Sequence, residues 1–200
     1  MSWDRQGVRV KQTIVLAVLI GLLGVAAGPV WSQEEGGVLP ADEPESQRQL
    51  RLFREALFQG STQEIRVEAG VELLLQNDAA ARDVLVSALN ASDNPQARQA
   101  VCKALIKSRG LGQTIAARGV FLDPLIQFLT SAPYEQAVTA AEALLLFDFE
   151  KVQPRLNEIL QDSELDRQAR INTVYALQIR PEPQALRGLI GLLDDPDPEV

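Results

Sequence analysis

One short motif returns four times along this chain, and it leaves few folds open. A small or aliphatic residue stands before Arg and Leu follows eight positions later, in IRVEAGVEL (Ile65–Leu73), ARQAVCKAL (Ala97–Leu105) and ARINTVYAL (Ala169–Leu177). AVTAAEALL (Ala137–Leu145) is the fourth copy, with Val138 where Arg is expected. The copies start 32, 40 and 32 residues apart. Around them lie further apolar runs, each closing on a polar loop: REALFQGST, VLVSALNASDNP, LIQFLTSAP, LNEILQDSE and LIGLLDDPDP. Apolar residues fall three and four apart with no sustained alternation, so the unit is helix, turn, helix. Such a unit hides its apolar face only against its neighbours, so the copies must stack.

The pattern predicts an all-α, right-handed α-solenoid of antiparallel helix pairs over residues 49–200, about four full repeats and a truncated fifth. The first helix of each pair, helix A, is expected near 48–59, 79–90, 121–130, 152–161 and 183–193. The second, helix B, is expected near 63–76, 95–108, 134–147 and 166–179. Between layers the expected core is Leu73, Leu85, Leu89, Val101, Leu105, Leu125, Leu129, Leu144, Ile159, Leu160, Val174, Leu177, Ile190 and Leu193. The third repeat is eight residues longer because RGLGQTIAARG (Arg109–Gly119) intervenes, and Gly110, Gly112 and Gly119 there suggest a loop with one extra turn. Such an insertion either lines a binding edge or is a tolerated surface loop. After it, Asp123 reads as an N-cap and Pro124 as the first helical residue. The closing DDPDPEV reads as the first turn of a fifth helix B, which leads to the expectation of a longer parent protein.

These residues carry a resemblance. LIGLLDDPDPEV (Leu189–Val200) together with the helix-B pattern of ARQAVCKAL resembles the HEAT repeat family in its short, phycobilin-lyase-like form, here in an exported bacterial protein. The resemblance implies a stacked architecture and is nearly silent about activity. Repeats of this kind also occur in phycobilin lyases and in certain DNA glycosylases, so the resemblance by itself permits chemistry.

The amino terminus reads as an address. Arg5, Arg9 and Lys11 precede an uncharged run from Thr13 to Val30, broken by Gly28 and Pro29 and followed by acidic residues. That is the order of a secretory signal, with a cut before Gln33. Its length also reaches that of a membrane-spanning anchor, about 20 residues. Residues 1–32 are therefore expected to be a signal peptide or N-terminal membrane anchor, and 33–48 a disordered acidic linker. Either way the repeats are expected outside the cytoplasm, periplasmic or tethered to the outer side of the inner membrane.

Composition removes most chemistry. With no His and one Cys, Ser/His/Asp and Cys/His constellations, structural zinc sites and dithiol redox motifs are excluded from these residues. A formal net charge of −8 repels phosphate backbones, and no basic stripe stands out, so no nucleic-acid partner is expected. Arg66, Arg98 and Arg170 share one position, with Asp93, Asp162 and Asp195 in the loops before them. They form either a basic ladder for an anionic partner or, as the commoner use, an Asp–Arg ladder tying repeat to repeat. Asp194, Asp195, Asp197 and Glu199 invite a calcium reading, but the glycine and bidentate glutamate of a calcium loop are missing, and a capped helix start explains them equally. Cys102 reads as a small buried hydrophobe. Phe147 and Phe149, beside Asp148 and Glu150, and Tyr134 and Tyr175 suit core packing or a binding surface.

The expected function is a non-catalytic protein-binding scaffold outside the cytoplasm, with no catalytic, cofactor-binding or metal residue assigned and no cofactor. The partner is a protein, with membrane contact only through residues 13–30 if the signal stays uncleaved. The alternative is an adaptor portion of a longer exported enzyme whose catalytic domain lies beyond residue 200.

Overall fold

A computed structural model of the chain describes residues 44–162 and 164–191. The described residues form, in order, α1 (Glu45–Gln59), α2 (Gln63–Gln76), α3 (Ala79–Asn90), α4 (Pro95–Gly110), a 3₁₀ turn (Arg118–Phe121), α5 (Leu122–Ser131), α6 (Tyr134–Leu144), α7 (Phe149–Gln161), α8 (Arg167–Gln178) and α9 (Pro183–Gly191). There is no strand among them. The proposed signal or anchor, the linker up to residue 43, Leu193 and the acidic Asp194, Asp195, Asp197 and Glu199 lie outside the described residues. Among the described residues no helix is long and apolar enough to cross a membrane.

The helices pair and stack as an α-solenoid, α1 with α2, α3 with α4, α5 with α6 and α7 with α8, and α9 against α8. Polar residues start several of them. Thr62, Asp78, Asn94 and Asp166 each accept a backbone N–H of the following first turn, from Ile65, Ala81, Ala97 and Gln168 respectively, which satisfies donors that the helix itself leaves unpaired. Asn77, between α2 and α3, takes a left-handed conformation at φ 53°, which Asn tolerates better than most residues.

Four helix limits depart from the sequence reading. α1 begins at Glu45, so residues 45–48 belong to the first helix rather than to the linker. α5 has no Asp123 N-cap, because the 3₁₀ turn runs straight into it and Asp123 and Pro124 fall within its first turn. α6 stops at Leu144 instead of 147, since the amides of Leu145, Leu146 and Phe147 turn back to Glu142 O, Ala143 O and Leu144 O in the tighter 3₁₀ manner. α7, by contrast, starts early, at Phe149, whose ring is buried, and carries Pro154 in its interior.

The core is mostly where the periodicity puts it, with Leu73, Leu85, Leu89, Val101, Leu105, Leu125, Leu129, Leu144, Ile159 and Leu177 all buried. Three expected members are not. Leu160 is only half-buried, because α7 turns Val152, Leu156 and Ile159 inward and leaves the next position on the flank. Val174 is half-buried, because polar Asn172 and Thr173 occupy the inward positions of α8. Ile190 is 55% exposed: Ala185 and Gly188 set the register of α9 on α8, and Leu186 and Ile190 fall on the other face.

The B helices α2, α4, α6 and α8 lie against one another in sequence, more closely than the A helices α1, α3, α5 and α7 do. Small residues allow it. Between α2 and α4 Gly70 faces Ala100 and Ala104, all three buried. A Cβ at Gly70 would stand 2.9 Å from the Ala104 Cβ, so glycine is required there for the approach rather than for its backbone freedom. Gly70→Val is expected to lower unfolding free energy by about 2–3 kcal/mol, the scale of overpacking a filled core, seen as a lower urea midpoint at unchanged slope. Gly70→Ala should fall between, since alanine recovers up to about 1 kcal/mol of helix propensity. A wild-type midpoint for the valine variant would contradict the close packing.

Candidate functional site

Each A helix ends with carbonyl groups that lack intrahelical partners, and the B helices supply side chains to them. Arg66 on α2 donates through Nη1 to Leu57 O at 3.1 Å and also to Phe58 O, both in the last turn of α1. Asn94, the N-cap of α4, donates to the same Phe58 O at 3.0 Å, so one helix end is held from two successive repeats. Arg98 on α4 donates through Nε to Leu89 O at 2.8 Å, and through Nη2 to Ser131 Oγ at 3.3 Å in the next repeat. Its guanidinium lies 4.2 Å from the centre of the Phe128 ring. Burial pushes the Arg98 pKa down from its ordinary value, yet a guanidinium remains charged at neutral pH. A cation over the negative end of a helix is worth about 0.3–2 kcal/mol, most in partly buried geometry.

Neither sequence reading of the arginine position survives for Arg66 and Arg98. Their partners are main-chain carbonyls and, for Arg98, the Ser131 hydroxyl, not the loop acids, and Asp93 before Arg98 is exposed. Nor do they form an open basic ladder, because Arg98 is buried and Arg66 half-buried. Arg170, at the same place on α8, is buried as well.

The departure at Val138 is compensated from the next repeat. Val138 stands nine residues after Leu129, as Arg98 does after Leu89, and it has no donor. Asn172 of α8 fills the role: its Nδ2 donates to Leu129 O at 2.9 Å and to Ala132 O at 3.0 Å. Gln168 donates in turn to Asn172 Oδ1 at 2.9 Å. Asn172 is missed by periodicity because it reads as a polar interruption of an apolar face. Its only signal is that it follows the one repeat lacking the arginine.

A second cluster of arginines closes the turn after α6. Arg180 donates to Leu144 O at 2.6 Å and to Phe147 O at 3.0 Å, and lies 5.5 Å from the centre of the Phe149 ring. Arg118, from the insertion, donates to Leu146 O at 3.0 Å and pairs with Asp148 at 3.3 Å. Phe147 and Phe149 are both buried, as core residues, beneath these contacts.

The outward side of the B helices carries charge in alternating blocks: Glu64, Glu68 and Glu72 on α2, Lys103 and Lys107 on α4, Glu135 and Glu142 on α6. Lys107 pairs with Glu68, and burial, followed by the Glu68 charge, pushes the Glu72 pKa up. Exposed pairs of this kind contribute at most about 1 kcal/mol. Tyr134 and Tyr175 meet edge to face, 5.7 Å between centres and 75° between planes, with Tyr134 45% exposed. Cys102 is fully buried in α4, and that burial raises its thiol pKa far out of the reactive range. Among the described residues no group of three His, Cys, Asp or Glu side chains is placed to hold a metal ion.

The family model for HEAT repeats matches residues 122–200. This stretch is similar to HEAT repeats. It takes in α5 to α9, and the same stacking of helix pairs is continued by α1 to α4. No curated protein and no solved structure matches the chain. HEAT repeats generally act as scaffolds for protein interaction.

Two outcomes follow from these contacts. Asn172→Ala is expected to cost about 1–3 kcal/mol by leaving two buried carbonyls without a donor, and adding Val138→Arg should recover part of it by restoring the arginine of the other repeats. Additive effects in chemical denaturation of the two single variants and the double variant would refute the substitution of one donor for the other. Cys102 should react with an aromatic disulfide reagent only at the rate of opening of α4. Rapid labelling of the native protein would place the thiol elsewhere.

Proposed function

We propose that the chain is a non-catalytic scaffold that binds a protein partner on its α-solenoid surface, outside the cytoplasm. The observation that carries the binding role is the division of labour among its polar groups. Arg66, Arg98, Arg180 and Asn172 are committed to helix-end carbonyls, while the B helices turn outward a row of charged side chains and the Tyr134–Tyr175 pair. Such a surface offers many weak contacts spread along a partner, in place of a pocket of convergent polar groups. The HEAT match over residues 122–200 supports the same role. Support for the location comes from the sequence, where three basic residues precede an uncharged run and acidic residues follow it.

Two measurements test the two halves separately. Residues 1–60 fused to a reporter that is active only in the periplasm should give signal, and a reporter retained in the cytoplasm would remove the location. Crosslinking in the native envelope with the whole chain should yield a defined partner that is lost when Tyr134 and Tyr175 are both changed to Ala. Turnover of a small molecule by residues 49–200 alone would overturn the scaffold reading.

A further inference from the structure

The insertion of the third repeat is the largest irregularity in the stack, and it is anchored at several points. The Gln113 amide donates to Ser108 O at 3.0 Å, at the end of α4. Ala116 N donates to Asn77 Oδ1 at 3.1 Å, beyond the end of α2. Arg118 reaches Leu146 O and Asp148 after α6. The insertion therefore bridges three repeats, and its residues together with Leu146 enclose a groove of about 480 Å³. Ile115 and Leu146 give the groove apolar surface, and Gln113 and Thr114 give it an amide and a hydroxyl. Beside it, Leu111 and Val120 of the same segment are 63% and 46% exposed.

Charge distinguishes this place from the rest of the molecule. From Asn94 to Leu122 there are five basic residues and no acidic one, in a chain of formal net charge −8. The sequence reading missed this segment because the basic residues are spread over a helix and a loop. Arg98 is committed to Leu89 O, and Lys107 pairs with Glu68 on α2. Lys103 is exposed on α4, and two cations flank the insertion: Arg118, which lines the groove, 42% exposed and shared with Asp148, and Arg109, exposed in the last turn of α4 just before the insertion. Arg109 lies close enough to Arg180 to lower its pKa, although burial does so more strongly. A rim of arginines over an aliphatic surface suits a ligand with carboxylates flanking an aliphatic side chain.

We propose that this groove binds an acidic, extended segment of a partner protein, with an aliphatic side chain against Ile115 and Leu146 and carboxylates directed to Arg109 and Arg118. The proposal rests on the scaffold reading and gives it a surface and a partner chemistry. Amide and hydroxyl groups of Gln113 and Thr114 are placed to meet the main chain of such a segment, and the anchored loop spares the cost of ordering the site on binding.

The test uses the whole chain and a blocked peptide of sequence Asp-Glu-Leu-Asp-Glu, followed by methyl resonances of Ile115 and Leu146 and by peptide anisotropy. The peptide should shift those two methyls, and binding should weaken steeply with salt. Replacing its Leu by Ser, or changing Arg109→Glu in the protein, should each weaken it roughly tenfold, as loss of one good contact does. The exposed Arg109 side chain makes no hydrogen bond or ion pair among the described residues, so its variant should melt as the wild type does, and Arg118→Lys, which keeps the charge, should retain most of the binding. Absence of methyl shifts at saturating peptide, shifts centred on other residues, or equal binding of a thymidine oligonucleotide would each overturn the proposal. Envelope crosslinking separates it from the wider reading. If wild type captures a partner and Arg109→Glu captures it equally, the groove is refuted while the scaffold stands, and if wild type captures none, the scaffold reading falls.

Discussion

A stack of short helices must dispose of many helix ends, and this molecule does it with a few buried polar side chains. Each A helix leaves carbonyls pointing toward the next layer, where water is largely excluded, and an unmet carbonyl there is expensive. Arg66, Arg98 and Asn172 meet them from the B helices, and Arg180 meets those after α6. Because Asn94, Arg98 and Asn172 reach across to an adjoining repeat, the same bonds that satisfy a helix end also fix one repeat on another. Apolar burial supplies the drive to stack, and these bonds fix the register of the stack.

The same economy shapes the surface. The guanidinium groups of Arg66 and Arg98 are turned to helix-end carbonyls, so recognition falls to what remains outside: the acidic and basic blocks of the B helices, the tyrosine pair and the insertion between α4 and α5. The close approach of α2 and α4 at Gly70 and Ala104 brings the glutamates of one helix beside the lysines of the next. Packing deep in the stack thus sets the spacing of charge on its face.

Helix identity was legible in the sequence because it follows from periodicity. α2 and α3 begin and end where the spacing of Ile65, Ala69 and Leu73, and of Leu85 and Leu89, puts them, between polar caps that are local signals. Boundaries failed where a distant residue decides them. α6 ends early in a turn whose carbonyls are met by Arg118 and Arg180, from 28 and 33 residues or more away, and no window around Leu144 reveals that. Core membership failed in α8 for a related reason: Asn172 displaces an apolar residue from the interior since it has carbonyls to satisfy there, and Val174 moves to the flank. The arginine position was found from the repeat, but its role was not. An Asp in the preceding loop suggested an ion pair, whereas the carbonyls that bind the guanidinium belong to every sequence alike and leave no mark in it.

Native-state hydrogen exchange on Arg98→Met tests most directly whether these side chains hold the stack together. Arg98 contacts Leu89 at the end of α3 and Ser131 at the end of α5, so its loss should reduce protection in the last turns of both helices, although Leu89 and Ser131 are 42 residues apart in sequence. Loss of protection confined to the residues flanking position 98 would show that the arginine serves its own helix alone and that apolar packing sets the register without it.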